Sequence, residues 1–238
     1  MWSTGPSEAA LEAALPIPIQ IRPMRSARRM RLRFDDGSGT LKLTCPWRTN
    51  RRKALAWALD QRDWIDAQLA RAEPSLPFIP DAIIPIEGRD RRIVWAAEAP
   101  RAPVLTDDEL QCGGPLDGLS RRIEAFLKKR ALVVMSAEVA DYAAAAGVTA
   151  RSVSVGDPSS RWGSCSSDAR IRLSWRLILA PPEGRRYVVA HEVAHLRHLD
   201  HSAAFKACEA RLYGPGLGEA KAALRRLGPR LRRVGRRG

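Results

Sequence analysis

The alternation of apolar and polar positions divides the chain into a short series of elements. From Arg28 to Phe34, Met30, Leu32 and Phe34 alternate with Arg29, Arg31 and Arg33, the period of a half-buried strand with one basic face. The turn-forming run Asp35-Asp36-Gly37-Ser38-Gly39 follows, and Leu41, Leu43 and Cys45 mark a returning strand. The period then lengthens: Trp57, Trp64, Ile65 and Leu69 predict one helix from Arg51 to Arg71. A proline-rich link at 73–80 leads to a second β unit, Ile83–Ile86 and Arg92–Ala96, around a Glu87-Gly88 turn. Residues 97–118 read as loop with weak strands, and a helix is predicted from Leu119 to Ala146. Next come Arg161-Trp162-Gly163-Ser164-Cys165-Ser166, a turn at Ser167-Asp168-Ala169, and a strand over Ile171–Leu179. Pro181 or Pro182 with Glu183 then opens an apolar helix through Val188, Val189, Val193 and Leu196.

That last helix carries the chemistry. All four histidines of the chain, His191, His195, His198 and His201, lie on or just after it in the run HEVAHLRHLDH, which contains HExxH. Helical residues four apart differ by about 40° in angle and about 6 Å in height, so His191 and His195 can bracket one ion. Glu192 lies about 100° round from His191, placed to act as general base on a metal-activated water. The surrounding residues are apolar, and buried ionisable groups are costly unless paired or bound to metal.

A catalytic zinc usually takes three protein ligands. His198 would continue the axial row on an unbroken helix, a poor approximation to a tetrahedron. His201 is favoured provided that the chain leaves the helix near Leu199-Asp200, with Asp200 or Ser202 capping a new helix through Phe205. Glu209, on that following helix, would give a His/His/Glu site instead. The spacing HExxHxxxxxH also matches that of metzincins, but His198 stands where their spacer glycine would be, and no methionine follows Met135 to form their Met-turn.

At this point the chain resembles a known family. RWGSC, a strand ending in LILAPP, and YVVAHEVAHLRHLDHSAAF are similar to the YgjP-like zinc metallopeptidases, relatives of SprT-like and gluzincin-type metalloproteases. The resemblance is specific over 150–212 and extends by element order over 21–212. It implies one zinc ion held by His191, His195 and His201, with Glu192 as base. Asp200 stands where an asparagine often precedes the third histidine, and Lys206 where a tryptophan often follows the phenylalanine. An edge strand beside the metal helix of such folds can pair with an extended peptide. RWGSCS would supply it here, with Arg161 or Trp162 near the substrate; packing is an equal expectation for Trp162.

Charge and length refine this picture. The net charge is +14, carried mostly at the two ends: residues 21–73 hold 13 basic and 6 acidic side chains, and 221–238 hold 8 basic and none acidic. A peptide or protein is the expected substrate; the basic residues of 21–73 and 221–238 could neutralise phosphates of a nucleic acid, but a solvated strand face and a disordered tail account for them as well or better. The four cysteines are scattered singly, the first basic residue is Arg22, and no apolar stretch reaches the ~18 residues of a membrane span. A cytoplasmic location without membrane attachment is expected. The organisation read from the sequence is a disordered 1–20, an N-terminal β-rich accessory region over 21–118 with one helix, a zincin-like catalytic region over 119–220, and a basic arginine-rich tail over 221–238. The fold expected is α+β, and the activity zinc-dependent peptide hydrolysis. Two alternatives compete: a metal-dependent hydrolase of a nucleotide or other phosphorylated substrate, and a DNA-associated protease or binding module using the basic ends.

Overall fold

The computed structural model describes residues 5–35, 38–158 and 160–236. The middle of the turn expected at 35–39, Asp36 and Gly37, lies outside these residues. The chain divides into two compact units between Pro74 and Ser75.

The first unit opens with helix α1 (Glu8–Ala13), capped by Ser7, whose side chain accepts from the Ala10 N–H. Strands β1 (Ile19–Met24), β2 (Arg31–Asp35) and β3 (Thr40–Pro46) form a sheet in the order β1-β3-β2, with β1 parallel and β2 antiparallel to β3. Helices α2 (Arg51–Leu59) and α3 (Arg62–Arg71) follow. A single helix is predicted there; the chain instead breaks at Asp60-Gln61, and Leu55 and Ile65 on either side of the break enter one apolar cluster with Leu41 and Leu43. Of the segment 1–20 expected to be disordered, residues 1–4 lie outside the described residues, and residues 5–20 are ordered. Leu11, Leu15 and Ile19 are buried in that same cluster, and this burial offsets the ordering entropy of an Ala- and Pro-rich segment.

The second unit begins with β4 (Ile83–Ile86) and β5 (Arg89–Ala96), joined at Glu87 and Gly88, both at positive φ (53° and 77°), the backbone of a two-residue type I′ hairpin. Strands β6 (Val104–Leu105) and β7 (Glu109–Gly113) complete a sheet of order β4-β5-β7-β6. Helix α4 (Leu119–Ala146) buries Leu119, Ile123, Leu127, Ala131, Met135 and Val139 at four-residue spacing and ends at Gly147 in the left-handed conformation. A second sheet, β8 (Ser152–Gly156), β9 (Gly163–Cys165) and β10 (Arg170–Ser174), runs in the order β8-β10-β9, so β9 is an edge. The strand expected to reach Leu179 stops at Ser174, whose N–H donates to the Trp162 carbonyl (2.7 Å), and Trp175–Leu179 coil into a buried 3-10 turn. Helices α5 (Pro182–His195), α6 (Ala203–Tyr213) and α7 (Leu217–Arg233) close the unit.

This core redraws two expected boundaries. Residues 75–118 do not join the accessory region: Ile84, Ile86, Ile93 and Leu110 share one hydrophobic cluster with α4, β10 and α5. The arginine-rich tail is helical, because Ala220, Leu224 and Leu231 recur at helical spacing and are buried, leaving the arginines on the other side. Its end is clasped by the buried Arg176, which donates to the Leu231 and Val234 carbonyls (3.2 and 2.5 Å) and, through Nε and Nη2, to both carboxylate oxygens of Asp157 (2.6 and 3.1 Å). Burial raises the Asp157 pKa, but Arg176 and then Arg236 outweigh it and hold it below the ordinary carboxylate value. A depressed folded-state pKa gives stability present above the unfolded value of about 4 and lost as pH falls through the folded one. Asp157→Asn is therefore expected to cost about 3 kcal/mol at pH 7, the low end for breaking a buried pair because the Asp157 side chain is 26% exposed. Denaturant unfolding at pH 7 and at pH 3 checks this: the gap between wild type and variant should narrow in acid.

Candidate metal centre

α5 places His191 and His195 one turn apart, with ring centroids 4.9 Å from each other. The helix ends at His195 because the Leu196, Arg197 and His198 N–H groups fold back onto the Val193 and Ala194 carbonyls. Asp200 Oδ1 then accepts from the Ser202 N–H (3.2 Å), and Ser202 Oγ accepts from the Phe205 N–H (3.3 Å), which caps α6. This turn returns His201 to the helix it left, with its ring 5.3 Å from that of His191 and 4.7 Å from that of His195. One nitrogen from each of the three rings lies within 4.8 Å of the others. The His198 side chain is outside this group, and its carbonyl is the part that contributes.

The tautomers follow from the partners. His195 Nδ1 faces the His198 carbonyl (3.0 Å), an acceptor only, so Nδ1 carries the proton and Nε2 keeps its lone pair. His191 Nδ1 faces Glu209 Oε1 at 2.6 Å and donates to the carboxylate, which leaves its Nε2 turned toward His201 Nε2, 3.4 Å away. Glu209 therefore sits behind His191, outside the three converging ring nitrogens. Partners of this kind fix ring orientation and raise ligand basicity. Phe205, 1% exposed, lies with its ring centroid 5.0, 4.5 and 4.8 Å from those of His191, His195 and His201, an apolar support that limits how the rings can turn. Three imidazoles with converging lone pairs fit a zinc ion.

Glu192 is 5% exposed, and its Oε2 has no hydrogen-bond partner among the described residues. Burial pushes its pKa up to about 7, opposed by the charge of Arg161. Strand β9 passes directly over it. A methyl carbon on Gly163 would lie 2.5 Å from Glu192 Oε1 and 2.7 Å from its Cγ, closer than van der Waals contact allows. Gly163 is thus the residue that lets the edge strand lie against the glutamate. Cys165, at the other end of β9, has its thiol pKa pushed up to about 11 by burial and by the Glu192 carboxylate. It stays a neutral thiol.

The two residues expected near substrate separate. Arg161 is exposed and electrostatically coupled to Glu192. Trp162 points instead to α7: the Arg232 guanidinium lies 4.3 Å from its ring centroid, and its Cζ2 is 3.3 Å from where a side chain on Gly228 would begin. Its indole packs there against the core and a cation, which agrees with the packing expectation for Trp162. Two contributions are visible only in three dimensions: the Glu209 carboxylate behind His191, a residue the sequence offers as a ligand, and the Phe205 ring among the three imidazoles. A glycine within a strand at 163 already marks a close backbone approach, and the structure shows that it is made to Glu192. A concavity of about 700 Å³ between α4 and Arg101–Pro103 includes none of these residues.

No helix among the described residues is long and apolar enough to cross a membrane. No curated protein matches the chain. Among solved structures, the metallopeptidase zymogen of Pyrococcus abyssi abylysin aligns at 19% identity over 42% of this chain and 97% of that one, with a TM-score of 0.36. The YgjP-like metallopeptidase domain model matches residues 28–227, which take in part of each unit and every side chain of the histidine cluster. A match over most of its length places the chain in the YgjP-like metallopeptidase family.

Proposed function

We propose that the chain is a zinc-dependent peptidase in which His191, His195 and His201 hold one ion and Glu192 is the general base. The observation that carries this reading is the juxtaposition of three convergent imidazoles with a buried carboxylate, Glu192, that lies against Gly163 of the edge strand β9. Zinc held by such ligands polarises the scissile carbonyl and lowers the pKa of water toward ~7. Glu192 takes the proton of the attacking water and delivers it to the leaving amine. Among the described residues β9 is bonded to β10 on one side only, so its other side can hydrogen-bond an extended peptide, and Gly163 keeps that edge against Glu192. Arg161 offers an exposed cation beside the reacting groups.

A phosphoryl hydrolase is less well served by this donor set, since such enzymes more often use carboxylate-rich metal sites. New amino termini released from an unfolded protein substrate, suppressed by a chelator and restored by zinc, are the expected result. Metal-dependent phosphate release from nucleoside triphosphates without peptide cleavage would overturn the reading. Glu209→Gln tests the outer layer of the site. It keeps the shape of the carboxylate but removes its charge, and zinc affinity is expected to fall by about 10- to 100-fold in a chelator competition titration.

A further inference from the structure

Residues 21–73 contribute a surface that the metal site does not use. Along β3, Leu41, Leu43 and Cys45 face the core, while Lys42, Thr44 and Pro46 face outward. The sheet register sets Arg22 and Arg31 on either side of Thr44, and Gln20 and Arg33 on either side of Lys42, all on that outer face. Its one acidic member, Asp35, is buried and paired with Lys42, and Arg33 adds to the positive field around it. Arg22 and Arg31 are exposed and have no ion pair among the described residues. Where β1 and β3 end, Trp47 stands 53% exposed, with the guanidinium carbons of Arg25 and Arg48 at 5.9 and 5.0 Å from its ring centroid. Neither of these arginines has an acidic partner among the described residues.

We infer that this face, Arg22 and Arg31 with the Arg25–Trp47–Arg48 cluster, binds single-stranded nucleic acid. The Trp47 ring is held beside two cations by cation–π attraction, and 53% of the residue stays exposed. Stacking holds each guanidinium plane while leaving its N–H edge free to donate to phosphate oxygens, and the exposed ring offers a π-surface to an unpaired base. A basic sheet face with exposed, unpaired arginines such as Arg22 and Arg31 can track a sugar–phosphate backbone without reading its sequence. The other basic segment fits this partner less well. In α7, Arg230 is paired with Asp90, and Arg232 lies over Trp162 and donates to the Pro158 carbonyl; beyond the helix, Arg236 is paired with Asp157. The inference is independent of the metal centre.

The test uses the full chain and fluorescence anisotropy with labelled 20-nucleotide oligo-dT and oligo-U, a DNA duplex of the same length, and vesicles containing phosphatidylserine. Both single strands should bind. With four phosphates neutralised, the logarithm of affinity should fall with that of salt at a slope of about −3, a loss of about 50-fold between 50 and 200 mM. Trp47→Ala should weaken single-strand binding by about 10-fold, Trp47→Phe by less, and the double variant Arg22→Glu/Arg31→Glu by about 100-fold, all with unchanged circular dichroism. Loss of one single strand but not the other would still support the face and identify the sugar it selects. Absence of oligonucleotide binding, vesicle binding in its place, or duplex binding that Trp47→Ala leaves unchanged would overturn the inference.

Discussion

Replacing Gly163 with alanine is expected to lower kcat/KM for peptide hydrolysis by about 100-fold while the protein remains folded and keeps its zinc. The new methyl carbon would sit 2.5 Å from Glu192 Oε1, 2.7 Å from Cγ and 2.8 Å from Cδ. Something must shift, and the options are few. Glu192 is buried between α5 and β9, so it moves either by leaving its position or by pushing the edge strand outward. Both displace the base relative to the substrate edge, and a 1 Å error in placing a reacting group can cost about 100-fold. The backbone at 163 is not in the left-handed region, so alanine adds no conformational strain and the effect reports sterics alone. Overpacking costs about 1–3 kcal/mol, less than the stability of a domain of this size. Steady-state kinetics with a parallel zinc determination check the prediction, and unchanged kcat/KM with metal bound would mean that β9 does not set the position of Glu192.

Glu192→Gln should have the largest effect on catalysis, a loss of about 100- to 10,000-fold in kcat with zinc content unchanged. The substitution preserves volume and hydrogen-bonding shape but removes the group that takes and returns the proton. It also removes a buried carboxylate whose Oε2 has no partner among the described residues, so the variant should be at least as stable as the wild type. A gain or equality in Tm together with a collapse in kcat would show a residue retained for chemistry at the expense of stability. A large loss of Tm or of zinc would assign Glu192 a structural role instead.

How much of this was legible in the sequence depends on the range of the interaction. α4 runs from Leu119 to Ala146, as its apolar period predicts, because Leu119, Ile123 and Leu127 and their successors recur every fourth residue up to Gly147. The break between α5 and α6 was legible too: the residues of Leu199-Asp200-His201-Ser202 turn and cap as single-residue chemistry suggests. Fully buried runs lose their period. Trp175–Leu179 looks the same as a strand or as a 3-10 turn, and only the end of the β10 ladder at Ser174 decides between them. β8 offers just Val153 and Val155 as apolar positions, too short a pattern to stand out. α7 was hidden by its arginines, although Ala220, Leu224 and Leu231 already carried a helical stripe. Within the site, the HExxH spacing is local and readable. The Glu209 carboxylate behind His191 is a pairing made by the fold, and a glycine at 163 marks a close approach without naming Glu192 as the partner.

The central claim is a single zinc ion held by His191, His195 and His201, and its most direct test is elemental analysis of the untagged chain beside His191→Ala and His201→Ala. The account predicts one zinc per chain in the wild type and none retained by either variant after dialysis against a weak chelator. Zinc retained at full stoichiometry by His201→Ala would contradict it and remove His201 from the ligand set.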